Sequence, residues 1–256
     1  MQIQATHRGK HALITGGGSG IGLAIATALA HRGAVVTITG RRLEMLEEAA
    51  AQTPGLIPVA LDVRDEQQVD EVIAQSVQTH GPIQICVANA AQGKSGRLHQ
   101  ASTEEWRAMM DTNVDGAFFT IRAAMRSMLQ TDWGRVIAIS SIAGVAGMAR
   151  GGAYSVSKHA LVGMIRNLAA DFPKDPYTFN SICPGYVDTA MARSNIPLLM
   201  KRDGHSQEAA EQILNNANPH GRLIDVQEVA KTALWLCDPQ SGSVTGQEIQ
   251  VAGGRY

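Results

Sequence analysis

Tyr154 and Lys158 stand four residues apart, and Ser141 lies thirteen residues before the tyrosine. On a helix a four-residue spacing puts the phenol and the ammonium on one face. A nearby cation favours phenolate over phenol and lowers a tyrosine from its reference of about 10 toward the range of a working acid or base. Near the start of the chain Gly16, Gly18, Gly20 and Gly22 surround Ser19 and Ile21, directly after an apolar run. Any sharp strand-to-helix turn can use glycine. At this place it also permits close approach of a pyrophosphate to the backbone, with the phosphate charge at the positive end of a helix. A proton-transfer pair and a dinucleotide cradle in one chain point to hydride transfer.

Those groups need a frame. Short β-branched runs at 11–15, 34–39, 56–60, 83–88, 135–140, 178–183 and 247–251 alternate with helix-like stretches at 21–32, 43–51, 66–79, 103–129, 153–171 and 226–237. Ser102 with Glu105, and Asp225 with Glu228, have capping-box spacing and predict two helix starts. Such alternation predicts one α/β domain over 1–256, a doubly wound parallel sheet with helices on both faces and ligands at the carboxyl ends of the strands. The segment 189–218 breaks the rhythm: it has no strand, an apolar cluster at 196–200 and then a polar helix-like run. It is expected either to form a substrate lid or to be a surface excursion packed on the sheet.

The end of the second strand reports cofactor preference. An NAD enzyme usually has a carboxylate there for the ribose 2′-hydroxyl. Here Arg41 and Arg42 follow the strand with no acid in reach, which favours NADP(H), because guanidinium groups pair with a 2′-phosphate. The same arginines could instead be solvated or stack on adenine, so NAD(H) is also possible. Asp62 and Val63 follow the third strand, where the carboxylate could meet the adenine amino group or serve a turn. Asn89 and Ala90 end the fourth strand, where an asparagine can tie neighbouring strand ends together.

Taken together, the glycine run after Thr15, Asn89-Ala90, Asn113, Ser141, the Tyr154/Lys158 pair and the loop Pro184, Gly185, Tyr186, Val187, Asp188, Thr189 resemble the short-chain dehydrogenase/reductases. The match runs from about Gly9 to Tyr256 in the expected order. The resemblance implies a Rossmann-type sheet of seven strands and, commonly, a homotetramer. It implies Tyr154 as general acid/base, Lys158 as the group that lowers the tyrosine and holds the nicotinamide ribose, and Ser141 as the donor to the substrate carbonyl. It implies that Asn113 bends its helix and holds a water relaying protons to Lys158. Pro184, Gly185, Val187 and Thr189 would close on the nicotinamide. The Gly254–Tyr256 tail and the loop around Tyr186 are similar to those of members that reduce 3-oxoacyl thioesters and polyketides, with Lys201 and Arg202 as candidates for a carrier's phosphates or as a solvated pair. Two positions depart from the family pattern: Ala91 and Ala252 stand where glycine and aspartate are usual.

The composition excludes other classes. Lys plus Arg (22) nearly balance Asp plus Glu (23), so charge gives no argument for nucleic acid or an anionic membrane surface. No run approaches a membrane span or a signal peptide, and the three scattered cysteines do not read as a disulfide framework, so a cytoplasmic protein is expected. The eight histidines show no clustered ligand spacing, and no metal site is expected. The leading expectation is an NAD(P)(H)-dependent oxidoreductase interconverting a secondary alcohol and a ketone by hydride transfer, a reductase of 3-oxoacyl-type or cyclic ketones with a small-molecule substrate. The alternatives are an NAD-dependent hydroxyacyl dehydrogenase and a cofactor-binding regulatory or scaffold protein without turnover.

Overall fold

The computed structural model describes residues 6–255, apart from the side chains of Arg202 and Asp203, so the suggestions for Arg202 and Tyr256 lie outside the described residues. The seven expected strands are present as β1 (His11–Thr15), β2 (Val35–Gly40), β3 (Leu56–Ala60), β4 (Ile83–Ala88), β5 (Gly134–Ile139), β6 (Tyr177–Pro184) and β7 (Glu248–Val251). They form one parallel sheet in the order β3-β2-β1-β4-β5-β6-β7. The order reverses between β1 and β4. There the crossovers leave toward opposite edges and open a crevice at the strand ends.

Helices cover both faces: α1 (Gly20–His31), α2 (Leu43–Gln52), α3 (Glu66–His80), α4 (Thr103–Met110), α5 (Gly116–Met128), α6 (Gly152–Asp171), α7 (Ala190–Arg193), α8 (Asn195–Asp203), α9 (Gln207–Asn215) and α10 (Val226–Leu236). Alternation along β1 divides the core. Ala12 and Ile14 pack with Ile25, Leu29, Val229 and Leu236 beneath α1 and α10. Leu13 faces the opposite cluster of Ile73, Ile121, Leu161 and Phe179 beneath α3, α5 and α6. Each fully buried Leu or Ile side chain contributes about 1.5–3 kcal/mol, so both helical layers are held firmly to the sheet. No helix among the described residues is long and apolar enough to cross a membrane.

Both capping boxes are formed, at Ser102/Glu105 and at Asp225/Glu228. The helix expected over 103–129 is interrupted by a π turn at Asp111–Asp115. Asn113 lies at its centre with a buried carboxamide bonded outside its own helix, and a widened turn is how a helix accommodates such a pull. The segment 189–218 folds as α7, α8 and α9, with α8 packed on α9.

Candidate active site

The glycine turn sits where β1 meets α1. Gly16 and Gly20 have φ of 65° and 54°, and a Cβ on Gly22 would stand 2.3 Å from the Gly16 carbonyl oxygen. Side chains are therefore excluded on both geometric grounds, and the turn keeps a bare backbone surface. Ser19 caps α1 without any side-chain bond to it. A bare turn, an uncommitted hydroxyl and the first amides of a twelve-residue helix are what a pyrophosphate requires.

Asn89 ties the neighbouring strand ends as expected. Its Nδ2 donates to the carbonyls of Thr15 at 2.9 Å and Gly16 at 3.2 Å, while the Thr15 hydroxyl accepts from the amides of Asn89 and Ala90. Gly18 lies over Leu46, and Thr189 packs against Gly20, so the loop after β6 closes over the turn. Arg41 and Arg42 are exposed at the start of α2. Asp62 is engaged by its neighbour: its carboxylate accepts from Arg64 at 2.5 Å and 3.0 Å, which holds it below the usual carboxylate range, with Arg41 adding a smaller pull. The turn role foreseen for Asp62 is thus present. Val63 is buried, with its side chain against Gly116.

Ser141, Tyr154 and Lys158 converge at a cavity of about 490 Å³. Ser141 follows β5, and its Oγ accepts from the Ala143 amide at 3.1 Å, which fixes the side chain. Its hydroxyl lies close enough to the Tyr154 phenol to pull the phenol's pKa down. Ser140 donates to the Lys158 carbonyl at 2.9 Å. Lys158 is buried, and its Nζ donates to the Ile139 carbonyl at 2.7 Å.

One expectation needs correcting. Burial pushes the Tyr154 phenol above its ordinary value, and the group that pulls it back is Ser141, not Lys158. The ammonium stands 5.7 Å from the ring centroid, and burial lowers it to about 8. Desolvation acts on both groups and favours the neutral form of each.

Asn113 is joined to this set through a chain of bonds. Its carboxamide pairs with the Gln92 amide and carbonyl, both at 2.9 Å, and Nδ2 donates to Ser157 Oγ at 3.0 Å. Ser157 in turn donates to the Tyr154 carbonyl at 2.7 Å. The loop after β4 is thereby locked to the first turns of α6.

A family profile described as enoyl-(acyl carrier protein) reductase matches residues 16–255. The chain belongs to the short-chain dehydrogenase/reductase family. It is 32% identical to a putative ketoacyl reductase of Streptomyces coelicolor, with 98% of each chain covered, and 30% identical to a D-beta-hydroxybutyrate dehydrogenase of Rhizobium meliloti, with 96% of this chain and 98% of that one covered. Among solved structures, a variant of the actinorhodin polyketide ketoreductase with NADPH superposes with a TM-score of 0.92 at 31% identity, 96% of each chain being covered. This short-chain dehydrogenase/reductase is an NAD(P)(H)-dependent oxidoreductase of ketoreductase type, acting between a carbinol and a carbonyl carbon.

In this reductase the loop after β6 brings Pro184, Gly185, Val187 and Thr189 to the same cavity, and Ile21 reaches it from the glycine turn. Ala91 lines it too; Ala252 is buried beside Gly253, where a Cβ would stand 2.4 Å from the His220 ring. From the segment over the cavity come Met191, Asn195 and Leu198. Sequence reasoning missed Lys94, Tyr186 and Arg150 as lining residues. Tyr186 lies inside the recognised loop and was legible as an aromatic beside the site. Lys94 and Arg150 sit in loops with no periodicity, where only the fold brings them together.

Proposed function

We propose that the protein reduces a ketone of 3-oxoacyl or cyclic type to a secondary alcohol, with NADP(H) as the preferred cofactor. The observation that carries this reading is the convergence of Ser141, Tyr154 and Lys158 on one cavity that also meets the glycine turn. The names of the relatives support it: ketoacyl reductases of two Streptomyces species and the 3-oxoacyl-[acyl-carrier-protein] reductase MabA of Mycobacterium tuberculosis.

The nicotinamide cofactor, when bound, supplies the hydride for the carbonyl carbon. Gly16, Gly18, Ser19, Gly20, Ile21 and Gly22 would hold its pyrophosphate, and Arg41 and Arg42 a 2′-phosphate. Asp62 and Val63 would border the adenine, with Asn89 and Ala90 beside them. Pro184, Gly185, Val187 and Thr189 would face the nicotinamide, and Lys158 with Tyr154 its ribose.

Tyr154 gives its proton to the substrate oxygen as the alcohol forms. A phenol raised by burial is fully protonated at neutral pH, so the proton is present when reduction calls for it. Ser141 donates to the same oxygen and steadies its developing negative charge; one such donor is worth about 10²–10³ in kcat. The Lys158 ammonium places a positive charge behind the phenol and favours the phenolate left when the proton is given. Asn113 is a positioning residue, and the second lone pair of its Oδ1 could hold the relay water that the family resemblance implies.

The segment 189–218 acts as a lid in this reading, its apolar side chains meeting the substrate. A homotetramer belongs to the same proposal, supported by the exposed Phe118 ring on the outer face of α5. The test is NADPH-dependent reduction of a 3-oxo ester by the purified protein, followed by nucleotide absorbance. Tyr154→Phe is expected to abolish turnover and leave nucleotide binding nearly intact. Comparable turnover in that variant would remove the acid role.

A further inference from the structure

Arg150 holds a backbone conformation that its type avoids. Among the described residues it is the non-glycine residue with positive φ, at 61°. A left-handed conformation costs an L-residue about 1–2 kcal/mol. The next two residues are Gly151 and Gly152, so the chain places arginine where glycine would sit without strain. A strained residue beside a functional cavity directs attention to its side chain.

The strain is held by specific bonds. The Gly96 amide donates to the Arg150 carbonyl at 2.8 Å, and the Gly151 amide to the Met148 carbonyl at 2.9 Å. The first joins the loop after β4 to the loop after β5, the second closes a turn within the latter, and together they build a wall. On one side is the cavity of Ser141 and Tyr154; on the other is an open hollow of about 500 Å³ lined by Arg97, His99 and Met148. Arg150 lines both spaces.

Charge at this wall is of one sign. Lys94, Arg97, Arg150 and Lys158 line the two spaces, and no Asp or Glu does so among the described residues. Lys94 is paired with Glu105, and Lys158 is committed to Ile139. The exposed guanidinium of Arg150 has no ion-pair or hydrogen-bond partner among the described residues. An unpaired guanidinium at the mouth of an apolar cavity suits bidentate binding of carboxylate or phosphate oxygens.

We infer that Arg150, with Arg97 beside it, forms a binding site for an anionic group on the substrate's tail, outside the point where the carbonyl meets Ser141 and Tyr154. This deepens the ketone-reduction reading and rests on it. The anion is the carboxylate of a short oxo acid or a phosphate of a pantetheine-type thioester, which share the oxygen chemistry that a guanidinium recognises.

The test compares acetoacetate, acetoacetyl-coenzyme A and the uncharged ethyl acetoacetate on the wild type, Arg150→Gly and Arg97→Ala. Arg150→Gly removes the charge and the backbone strain together, so folding is not at risk. It is expected to raise KM for an anionic substrate about tenfold, equivalent to about 1.4 kcal/mol, with little change in kcat and a far smaller effect on the ester. A loss confined to the thioester identifies phosphate, and a loss with acetoacetate identifies carboxylate. Equal effects on all three, or none on either anion, overturn the site. Calorimetric titration with the two anions separates the two readings. Should no substrate turn over, weaker anion binding by Arg150→Gly would still uphold the site while counting against ketone reduction. Failure of the wild type to bind either anion would overturn it.

Discussion

Lys158 gives its ammonium to the carbonyl oxygen of Ile139 at 2.7 Å, and not to the phenol of Tyr154. The lysine is thus a cation fixed behind the tyrosine by the end of β5, in a place where burial lowers it to about 8. Its charge is present below that pH and disappears as pH rises through it. For reduction, Tyr154 stays protonated across the same range because burial raises it. The kcat/KM of ketone reduction is therefore expected to fall above about pH 8 along a single ionisation. Lys158→Arg keeps a cation at every accessible pH. Its residual activity should lack that limb, and an unchanged limb in this variant would assign it to another group.

Arg41 is exposed at the end of β2, and its charge contributes to the lowering of Asp62. No carboxylate stands between β2 and α2 to repel a second phosphate. Fluorescence titrations should show NADPH bound about tenfold or more tightly than NADH, or about 1.4 kcal/mol. Arg41→Ala is expected to remove most of that difference by weakening NADPH. Equal losses for the two nucleotides would mean that the guanidinium stacks on adenine.

The parts legible in the sequence were those with local causes. Continuous apolar runs marked the buried strands, and the capping boxes marked α4 and α10. The fixed spacing from Ser141 to Tyr154 and Lys158 survived folding because one strand end and one helix carry all three. The direction of the Tyr154 shift was not legible. It depends on how deeply β5, β6 and α6 bury the phenol, and a sequence records the nearby cation but not the desolvation. The π turn was legible only through Asn113, a residue that disfavours helix interiors and whose partners Gln92 and Ser157 lie 21 and 44 residues away. Arg150 carried no signal, since its meaning comes from a loop-to-loop contact with Gly96.

Asn218 is a second long-range anchor. It is buried after α9, its Oδ1 accepts from the Tyr186 amide at 2.9 Å, and its Nδ2 donates to the Tyr186 and Arg222 carbonyls at 2.8 Å each. Gly185 is required beside it, because a Cβ there would stand 2.4 Å from Oδ1. Asn218→Ala strands these backbone groups, at about 1–3 kcal/mol for each that water cannot reach. The variant should unfold at a lower temperature and show a raised KM, since Tyr186 lines the cavity. A lowered Tm with unchanged kinetics would make Asn218 a stabilising residue alone.

His11 gives the acid limit of stability. It is buried at the start of β1, where Nδ1 pairs with the Gly81 carbonyl at 2.8 Å and Nε2 with the Thr37 hydroxyl at 2.9 Å. The Gly81 carbonyl can only accept, so Nδ1 carries the proton and Nε2 accepts from the hydroxyl. Protonation would place a charge against Thr37, Ser76 and the neighbouring His80 ring, 5.7 Å away. Burial accordingly lowers His11 below 6.5, and His7 shifts the same way. The unfolded chain then binds a proton that the folded chain refuses. Stability is complete above about pH 6.5 and falls as pH drops from there toward the folded value, by up to about 1.4 kcal/mol per pH unit for each histidine. Urea unfolding at a series of pH values should show this slope in the wild type. His11→Gln removes one titrating group, so it should be less stable at neutral pH yet lose less on acidification. A slope equal to the wild type's would mean that His11 is already protonated in the folded protein.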